Sequence, residues 1–260
     1  MDKTKTQSLL RFNLIMGGLH LVQGVLMIFL IPALLVNIAQ FRPTIVQYYL
    51  DYDFITQSLF LNQRSLFELP FATLVGVFLL LSALAHALVV LFKKRYISDL
   101  EKGINQFRWF EYALSSSIMI CLIATLFGVY DIASLILIFV LNAIMNLFGL
   151  IMEKMNSGKN KKKVSWLPFV LGAIAGITPW LVIFIYMGGI NDLSLVPWFV
   201  WLIAGTYFVT FNTFPINMIL QYRQIGKWKD YLYGERVYII LSLVAKTLLA
   251  WLVLFGAMQP

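Results

Sequence analysis

Charged residues and cysteine are both scarce in this sequence. Of its 260 residues, 12% are charged and 60% are hydrophobic, whereas an average soluble domain is about 25% charged and about 45–50% apolar. This composition excludes a soluble globular protein. The single cysteine, Cys121, excludes an intramolecular disulfide. Packing within a lipid phase must therefore hold the fold together.

Motifs of intramembrane enzymes are also missing. The sequence has no Gly-x-Ser-x-Gly segment, no pair of aspartates within an apolar run and no histidine-rich metal motif. Its two histidines, His20 and His86, lie in separate apolar runs without the local spacing that is diagnostic of a metal site. The sequence therefore predicts no metal and no enzymatic activity.

Long apolar runs fill most of the chain. A bilayer core of ~30 Å needs ~20 apolar residues at 1.5 Å per residue, and seven stretches of that kind occur, at about 12–36, 69–92, 105–127, 132–152, 166–188, 196–220 and 237–257. The first run is too long for a signal peptide and is followed by no small-residue cleavage site. We predict an all-α membrane protein in which residues 1–260 form one bundle of seven transmembrane helices.

The basic residues predict the orientation of this bundle. Cytoplasmic loops carry an excess of lysine and arginine, and 17 of the 20 basic residues lie on one side of the predicted spans. Only Arg42 and Arg64 lie on the other side. We therefore expect a multi-pass protein of the cell membrane, with a cytoplasmic amino terminus and an external carboxyl terminus. The basic segment 156–163 is interpreted as a solvated linker beside anionic lipid.

The longest outer loop, residues 37–68, has the composition of a β-hairpin. Residues 44–50 favour a strand, Asp51 to Asp53 a turn, and residues 54–56 a second strand. We expect a small hairpin between the first two spans, with an irregular loop as the alternative.

One basic residue, Lys246, lies in the middle of a span. It is about nine residues from the cytoplasmic end of the seventh run, or ~13.5 Å deep, where a lysine is costly unless it has a function or a partner. It could line a wet cavity or pair with a carboxylate. Alternatively, because burial lowers the pKa of an amine, neutral Lys246 could attack an aldehyde and form an imine.

A protonated imine at that depth needs an anion, and Glu111 is the one acidic residue well inside a predicted span. It lies ~9 Å from the cytoplasmic face, so it can reach Lys246 if the third and seventh helices are neighbours. The alternative is an interfacial pair with Arg108, one turn earlier. Ser115 and Ser242 lie one turn from Glu111 and Lys246 and could hydrogen-bond the pair. His20 and His86 lie in the same half of the bilayer and could hold a proton beside it.

Four segments resemble the heliorhodopsins: 107–119 (FRWFEYALSSSIM), 234–246 (GERVYIILSLVAK), 81–86 (LSALAH) and 176–180 (GITPW). The first two are long enough to be highly specific, and the likeness covers nearly all seven spans. It implies a retinal-binding, light-sensing membrane protein with a cytoplasmic amino terminus, usually a homodimer, with generally no net ion transport. The orientation predicted from the basic residues agrees with this inverted topology.

The resemblance also assigns roles to residues. Lys246 corresponds to the lysine that carries all-trans retinal as a protonated Schiff base, and Glu111 to its counterion. Ser115, Ser242, His20 and His86 fall in the Schiff-base region. Aromatic residues of the predicted helices are candidate walls for the polyene, with Pro215 as a possible kink near them: Trp109, Tyr112, Trp180, Tyr207, Phe208, Phe211 and Trp251.

These residues predict a light sensor. On illumination a proton would leave the imine for a cytoplasmic-side pocket of Glu111, His20 and His86, and would later return. Vectorial pumping needs titratable groups on both sides of the imine, and no carboxylate or histidine lies between Lys246 and the outer span ends. We therefore expect signalling, with a cytoplasmic signalling partner as one possibility. Light-gated or light-driven transport remains the alternative, as does a transporter or enzyme that uses Lys246 without light.

Overall fold

A computed structural model of the chain describes residues 3–30, 33, 42–158 and 163–257. Within them the chain forms eight α-helices and one two-stranded antiparallel sheet. The strands are β1 Thr44–Asp53 and β2 Ser58–Glu68. The helices are α1 Lys3–Val25, α2 Phe71–Leu91, α3 Lys93–Glu101, α4 Gln106–Leu126, α5 Ile132–Asn156, α6 Leu167–Gly188, α7 Trp198–Tyr222 and α8 Tyr231–Ala257.

Six helices are long and apolar enough to cross a membrane: α1, with its π-helical extension to Phe29, and α2, α4, α5, α6 and α7. The eighth helix, α8, is equally long, but its described part includes Glu235, Arg236 and Lys246, and it is not among these six. The structure therefore supports a multi-pass bundle. The crossing of the membrane by a seventh helix and the orientation of the termini stay predictions.

The observed helices extend beyond several predicted spans. The chain becomes helical at Lys3 instead of residue 12, α5 continues to Asn156 instead of 152, and α8 begins at Tyr231 instead of 237. Hydropathy detects the apolar middle of a helix, whereas backbone hydrogen bonding continues into its polar ends. The predicted end of the first span, residue 36, and most of the 156–163 linker lie outside the described residues.

Most helices pack against the helix that neighbours them in the chain. Helix α1 packs on α2, α2 on α4, α4 on α5, α5 on α6, and α7 on α8, while α8 also contacts α1. Helix α4 has 61% of its apolar segment buried, compared with 22–39% for the other five candidate spans. A polar side chain on α4 is therefore held inside the bundle, which is where Glu111 lies.

The predicted hairpin between the first two spans is confirmed, but the predicted position of its turn is wrong. Asp53 still pairs with Ser58 at the end of the ladder, so residues 54–57 form the turn. Both oxygens of Asp53 close this turn, accepting from Ile55 N (2.8 Å) and Thr56 Oγ1 (2.9 Å). These bonds hold the pKa of Asp53 below its usual value, with the backbone bond from Ile55 as the largest cause.

The hairpin is attached to the bundle at its base. Ile45 is fully buried in the core, and Val46 N donates to Tyr130 O at 3.0 Å, just before α5. At the other end, Phe54 and Ile55 are 86% and 93% exposed. The hairpin therefore has a fixed base and a free apolar tip.

Candidate functional site

The side chain of Lys246 lies at the centre of a buried polar cluster. Lys246 is 3% exposed, and its Nζ forms an ion pair with Glu111 Oε1. Nζ also donates to Ser82 Oγ at 2.5 Å and to Ser242 Oγ at 3.0 Å. The structure thus brings Lys246, Glu111 and Ser242 together, as the counterion hypothesis requires.

One oxygen of Glu111 collects these contacts. Oε1 accepts from Ser115 Oγ at 2.6 Å and from Ser82 Oγ at 2.7 Å, in addition to the lysine. Ser115 is one turn away on α4, whereas Ser82 comes from α2. Removing two charges from water is costly unless good geometry and further hydrogen bonds satisfy them. The two hydroxyl groups supply such bonds to the carboxylate.

Sequence reasoning missed Ser82. This residue is part of the segment 81–86 that carries the family resemblance, but serines in membrane helices commonly bond their own backbone. Ser82 does this as well, donating to Phe78 O at 3.2 Å. Its position four residues before His86 was the available signal, because residues at i and i+4 share a helix face.

The two histidines lie against one another. The rings of His20 and His86 are stacked, with centroids 5.7 Å apart, and His86 Nδ1 shares a hydrogen bond of 2.8 Å with Asn13 Oδ1. Both ring nitrogens of His20 lack a hydrogen-bond partner among the described residues. A Cβ at Gly17 would lie 2.7 Å from His86 Cβ, so Gly17 permits this close approach of α1 and α2. Asn13 was not predicted.

A cavity of about 300 Å³ begins at Lys246 and Ser242 and runs between α4, α5, α6 and α7. Its lining is mainly apolar, and it includes six of the seven aromatic residues predicted as walls, together with Pro215: Trp109, Tyr112, Trp180, Tyr207, Phe208 and Phe211. Trp251, the seventh, is not among the residues that line this cavity. Five residues turn a helix by about 500°, so Trp251 faces away from Lys246, and its Nε1 lies 3.3 Å from Gln23 Oε1.

The lining of this cavity suits an apolar ligand. Trp180 packs against Tyr207, Phe208 and Phe211, with ring centroids 5.1–6.0 Å apart. Gly149 permits close packing of α5 on α4, since a Cβ there would overlap the Trp109 ring. A mainly apolar cavity that is lined by a single lysine fits a polyene aldehyde such as retinal.

A second buried ionic group lies next to this cavity, and we call Arg108, Glu153 and Glu235 the arginine cluster. The Arg108 guanidinium forms ion pairs with both glutamates, which are 2% and 0% exposed. It also lies over the Tyr238 ring, 4.0 Å from its centroid. Arg108 is therefore occupied by Glu153 and Glu235, and the alternative pairing of Arg108 with Glu111 is not what the structure shows.

Polar neighbours complete the arginine cluster. Asn105 donates from its backbone N to Glu153 (2.9 Å) and from Nδ2 to Glu235 (2.8 Å), and Trp109 Nε1 donates to Glu153 at 2.7 Å. Trp109 also lines the cavity that begins at Lys246. One indole ring thus contacts both the apolar cavity and the ionic cluster.

Comparison with known proteins identifies the family of this chain. The sequence model of the family described as heliorhodopsin matches residues 9–258, nearly the whole chain. None of the curated proteins matches the chain. Heliorhodopsins are retinal-binding, light-responsive membrane proteins, which agrees with an apolar aromatic cavity that ends at a buried lysine. The chain belongs to the heliorhodopsin family.

Proposed function

We propose that this protein is a light sensor that binds all-trans retinal as a protonated Schiff base on Lys246, with Glu111 as the counterion. The observation that carries the proposal is the buried ion pair between Lys246 and Glu111, whose lysine lines an aromatic cavity. Among the described residues, Lys246 is the only buried lysine. Bound retinal supplies absorption of visible light and an isomerisation that displaces charge.

The protein supplies orientation and electrostatics. Trp180, Tyr207 and Phe211 confine the ligand laterally, while Glu111 holds the positive charge at Nζ. Ser82 and Ser115 fix the carboxylate oxygen that faces the amine. Because these hydroxyl groups remain bonded to Glu111 when the amine moves, the carboxylate keeps its position and can accept a proton.

A proton that leaves Nζ has acceptors on one side only. Glu111, His20 and His86 lie in the half of the bundle that we predict to be cytoplasmic, and no carboxylate or histidine lies between Lys246 and the outer span ends in the sequence. A proton that is released and recaptured on the same side performs no net transport. This arrangement favours signalling over pumping. A second copy of the chain and a cytoplasmic signalling partner stay predictions from the family resemblance.

We expect Glu111→Gln to change the pigment without abolishing it. Loss of the carboxylate removes the charge that stabilises the protonated form, so the pKa of the chromophore should fall by at least about one unit and the absorption maximum should shift. A spectrophotometric pH titration of the retinal-loaded protein measures both. Glu101→Gln, an exposed carboxylate at the end of α3, is the matched control. An unchanged titration in Glu111→Gln would remove Glu111 as the counterion.

We expect no lasting proton movement under continuous light. Vesicles that contain the oriented, retinal-loaded protein should show at most a transient pH signal, because release and recapture occur on one side. A pH electrode with and without an uncoupler measures this, and an established light-driven proton pump in the same vesicles is the positive control. A sustained, uncoupler-sensitive pH change would establish the transport alternative, and a photocurrent under voltage clamp would indicate a light-gated conductance.

A further inference from the structure

A second cavity, of about 370 Å³, lies between α2 and α4 on the outside of the bundle. We call it the α2–α4 groove. Its walls are apolar and include Leu84, Phe110 and Leu114, which are 50–55% exposed. In a membrane such a groove opens sideways to lipid. It is separate from the cavity that begins at Lys246, although both lie against α4.

Two residues with opposite charges line the α2–α4 groove. Arg95 lines it from α3, and Glu111 lines it from the middle of the α4 segment between Gln106 and Leu114. Arg95 is exposed, and it follows two further exposed cations, Lys93 and Lys94, at the start of α3. The nearest acid on α3, Asp99, is 8% exposed and accepts from Gln106 Nε2 at 3.2 Å. Among the described residues, no carboxylate forms an ion pair with Arg95.

The length of the groove matches one leaflet. From Gln106 to Leu114 the groove follows eight helical steps, or ~12 Å, and half of a ~30 Å bilayer core is ~15 Å. Helix α3 lies at the mouth, beyond the end of α2, where lipid headgroups are expected. A single acyl chain that starts at headgroup level can thus fill the groove.

We propose that the α2–α4 groove is a binding site for an anionic phospholipid, with one acyl chain between α2 and α4 and the phosphate at Arg95. Arginine binds phosphate through paired, charge-assisted hydrogen bonds. Clustered cations beside a span attract anionic lipid. The apolar walls exclude a free phosphate ion as the ligand, and the cations at the mouth favour anionic over zwitterionic lipid.

The groove also gives the lipid access to the counterion. Glu111 borders the groove and its Oε1 pairs with Lys246, so one carboxylate belongs to both sites. An acyl chain in the groove excludes water from the lipid-facing side of Glu111. Lipid occupancy should therefore change the electrostatic environment of the chromophore. This consequence rests on the proposed function, whereas the lipid site itself does not.

Lipid binding can be measured on the full chain without retinal. We expect native mass spectrometry, after purification in an equimolar mixture of phosphatidylglycerol and phosphatidylcholine, to show one retained phosphatidylglycerol. Arg95→Gln should reduce this retention roughly fivefold, as expected for one cation near the membrane surface. Ala85→Trp should also reduce it, because Ala85 lines the groove and the indole would fill it.

Lys227→Gln is the matched control, because Lys227 is an exposed cation at the same end of the bundle and does not line the groove. Retention in Lys227→Gln should equal that of the wild type. Equal retention of the two lipids by the wild type would overturn the proposal. So would a loss in Lys227→Gln as large as in Arg95→Gln, or retention that Ala85→Trp leaves unchanged.

A second measurement tests the connection to the chromophore. Retinal-loaded protein in phosphatidylglycerol nanodiscs should differ in absorption maximum from protein in phosphatidylcholine nanodiscs, and Arg95→Gln should abolish the difference. Identical spectra of the wild type in the two lipids would overturn the connection to Glu111. Absence of any pigment in either lipid would instead contradict the proposed function, so the two failures are distinguishable.

Discussion

We expect the Lys246→Ala variant to form no pigment with retinal, whereas the wild type acquires a visible absorption band. Lys246 is the only buried lysine among the described residues, and it lines the aromatic cavity. Without that amine no covalent link can form there. Visible absorbance should fall to the baseline of free retinal, measured by titration of the purified protein.

Two further variants make this result interpretable. Lys246→Ala leaves Glu111 buried without a cation, which is destabilising in itself, so Lys246→Ala combined with Glu111→Gln keeps the site neutral. The double variant should fold and remain colourless. Lys227→Ala, which removes an exposed lysine, should give normal pigment. A visible band in the folded double variant would show that retinal binds elsewhere and would contradict the proposed function.

The second large effect concerns the arginine cluster. Arg108→Met should lower the free energy of unfolding by about 3–5 kcal/mol, because it leaves Glu153 and Glu235 buried without their cation. Thermal unfolding of the purified protein, followed by circular dichroism, measures the loss as a lower Tm. The exposed arginine of the hairpin, Arg64, is the control, and Arg64→Met should change stability by no more than about 0.5 kcal/mol.

The effect of the unpaired carboxylates on stability can be separated from the effect of lost packing. Replacing Arg108 with methionine and both glutamates with glutamine removes all three charges of the arginine cluster and keeps similar side-chain volumes. If the unpaired carboxylates cause the loss, this triple variant should be more stable than Arg108→Met alone. A triple variant as unstable as Arg108→Met would contradict the electrostatic explanation.

The central pair could be predicted because each partner is unusual for its position. A lysine and a glutamate inside apolar runs are costly in lipid, so Lys246 and Glu111 were recognisable from the sequence without any structure. Their neighbours Ser115 and Ser242 follow from helical periodicity. Ser82 and Asn13 did not, because the register between two helices depends on side-chain packing, which hydropathy does not reveal.

The arginine cluster was missed for a different reason. Glu153 and Glu235 lie one and two residues outside the predicted spans 132–152 and 237–257, so neither was predicted to be buried. The helices extend past these boundaries, and both glutamate side chains are buried between helices. A span predicted from hydropathy stops where its apolar run stops. Hydropathy therefore does not identify charged residues that are buried near the ends of helices.

The hairpin shows the same limit on a smaller scale. Its existence follows from alternating strand residues and a turn composition. The position of its turn depends on which of two aspartates closes it, and Asp53 does so through Ile55 and Thr56. Asp51 instead accepts from Asn62 Nδ2 across the two strands at 3.0 Å. Composition alone does not distinguish these roles.

The hairpin is attached to the bundle at its base, far from its exposed tip. Val46 is bonded to Tyr130, next to the start of α5, and Phe54 lies eight residues further along the chain. At about 3.4 Å per residue the arm is ~27 Å long, so a reorientation of about 5° at its pivot displaces the tip by about 2 Å. A tilt of α5 would therefore move the exposed apolar tip further than the attached base.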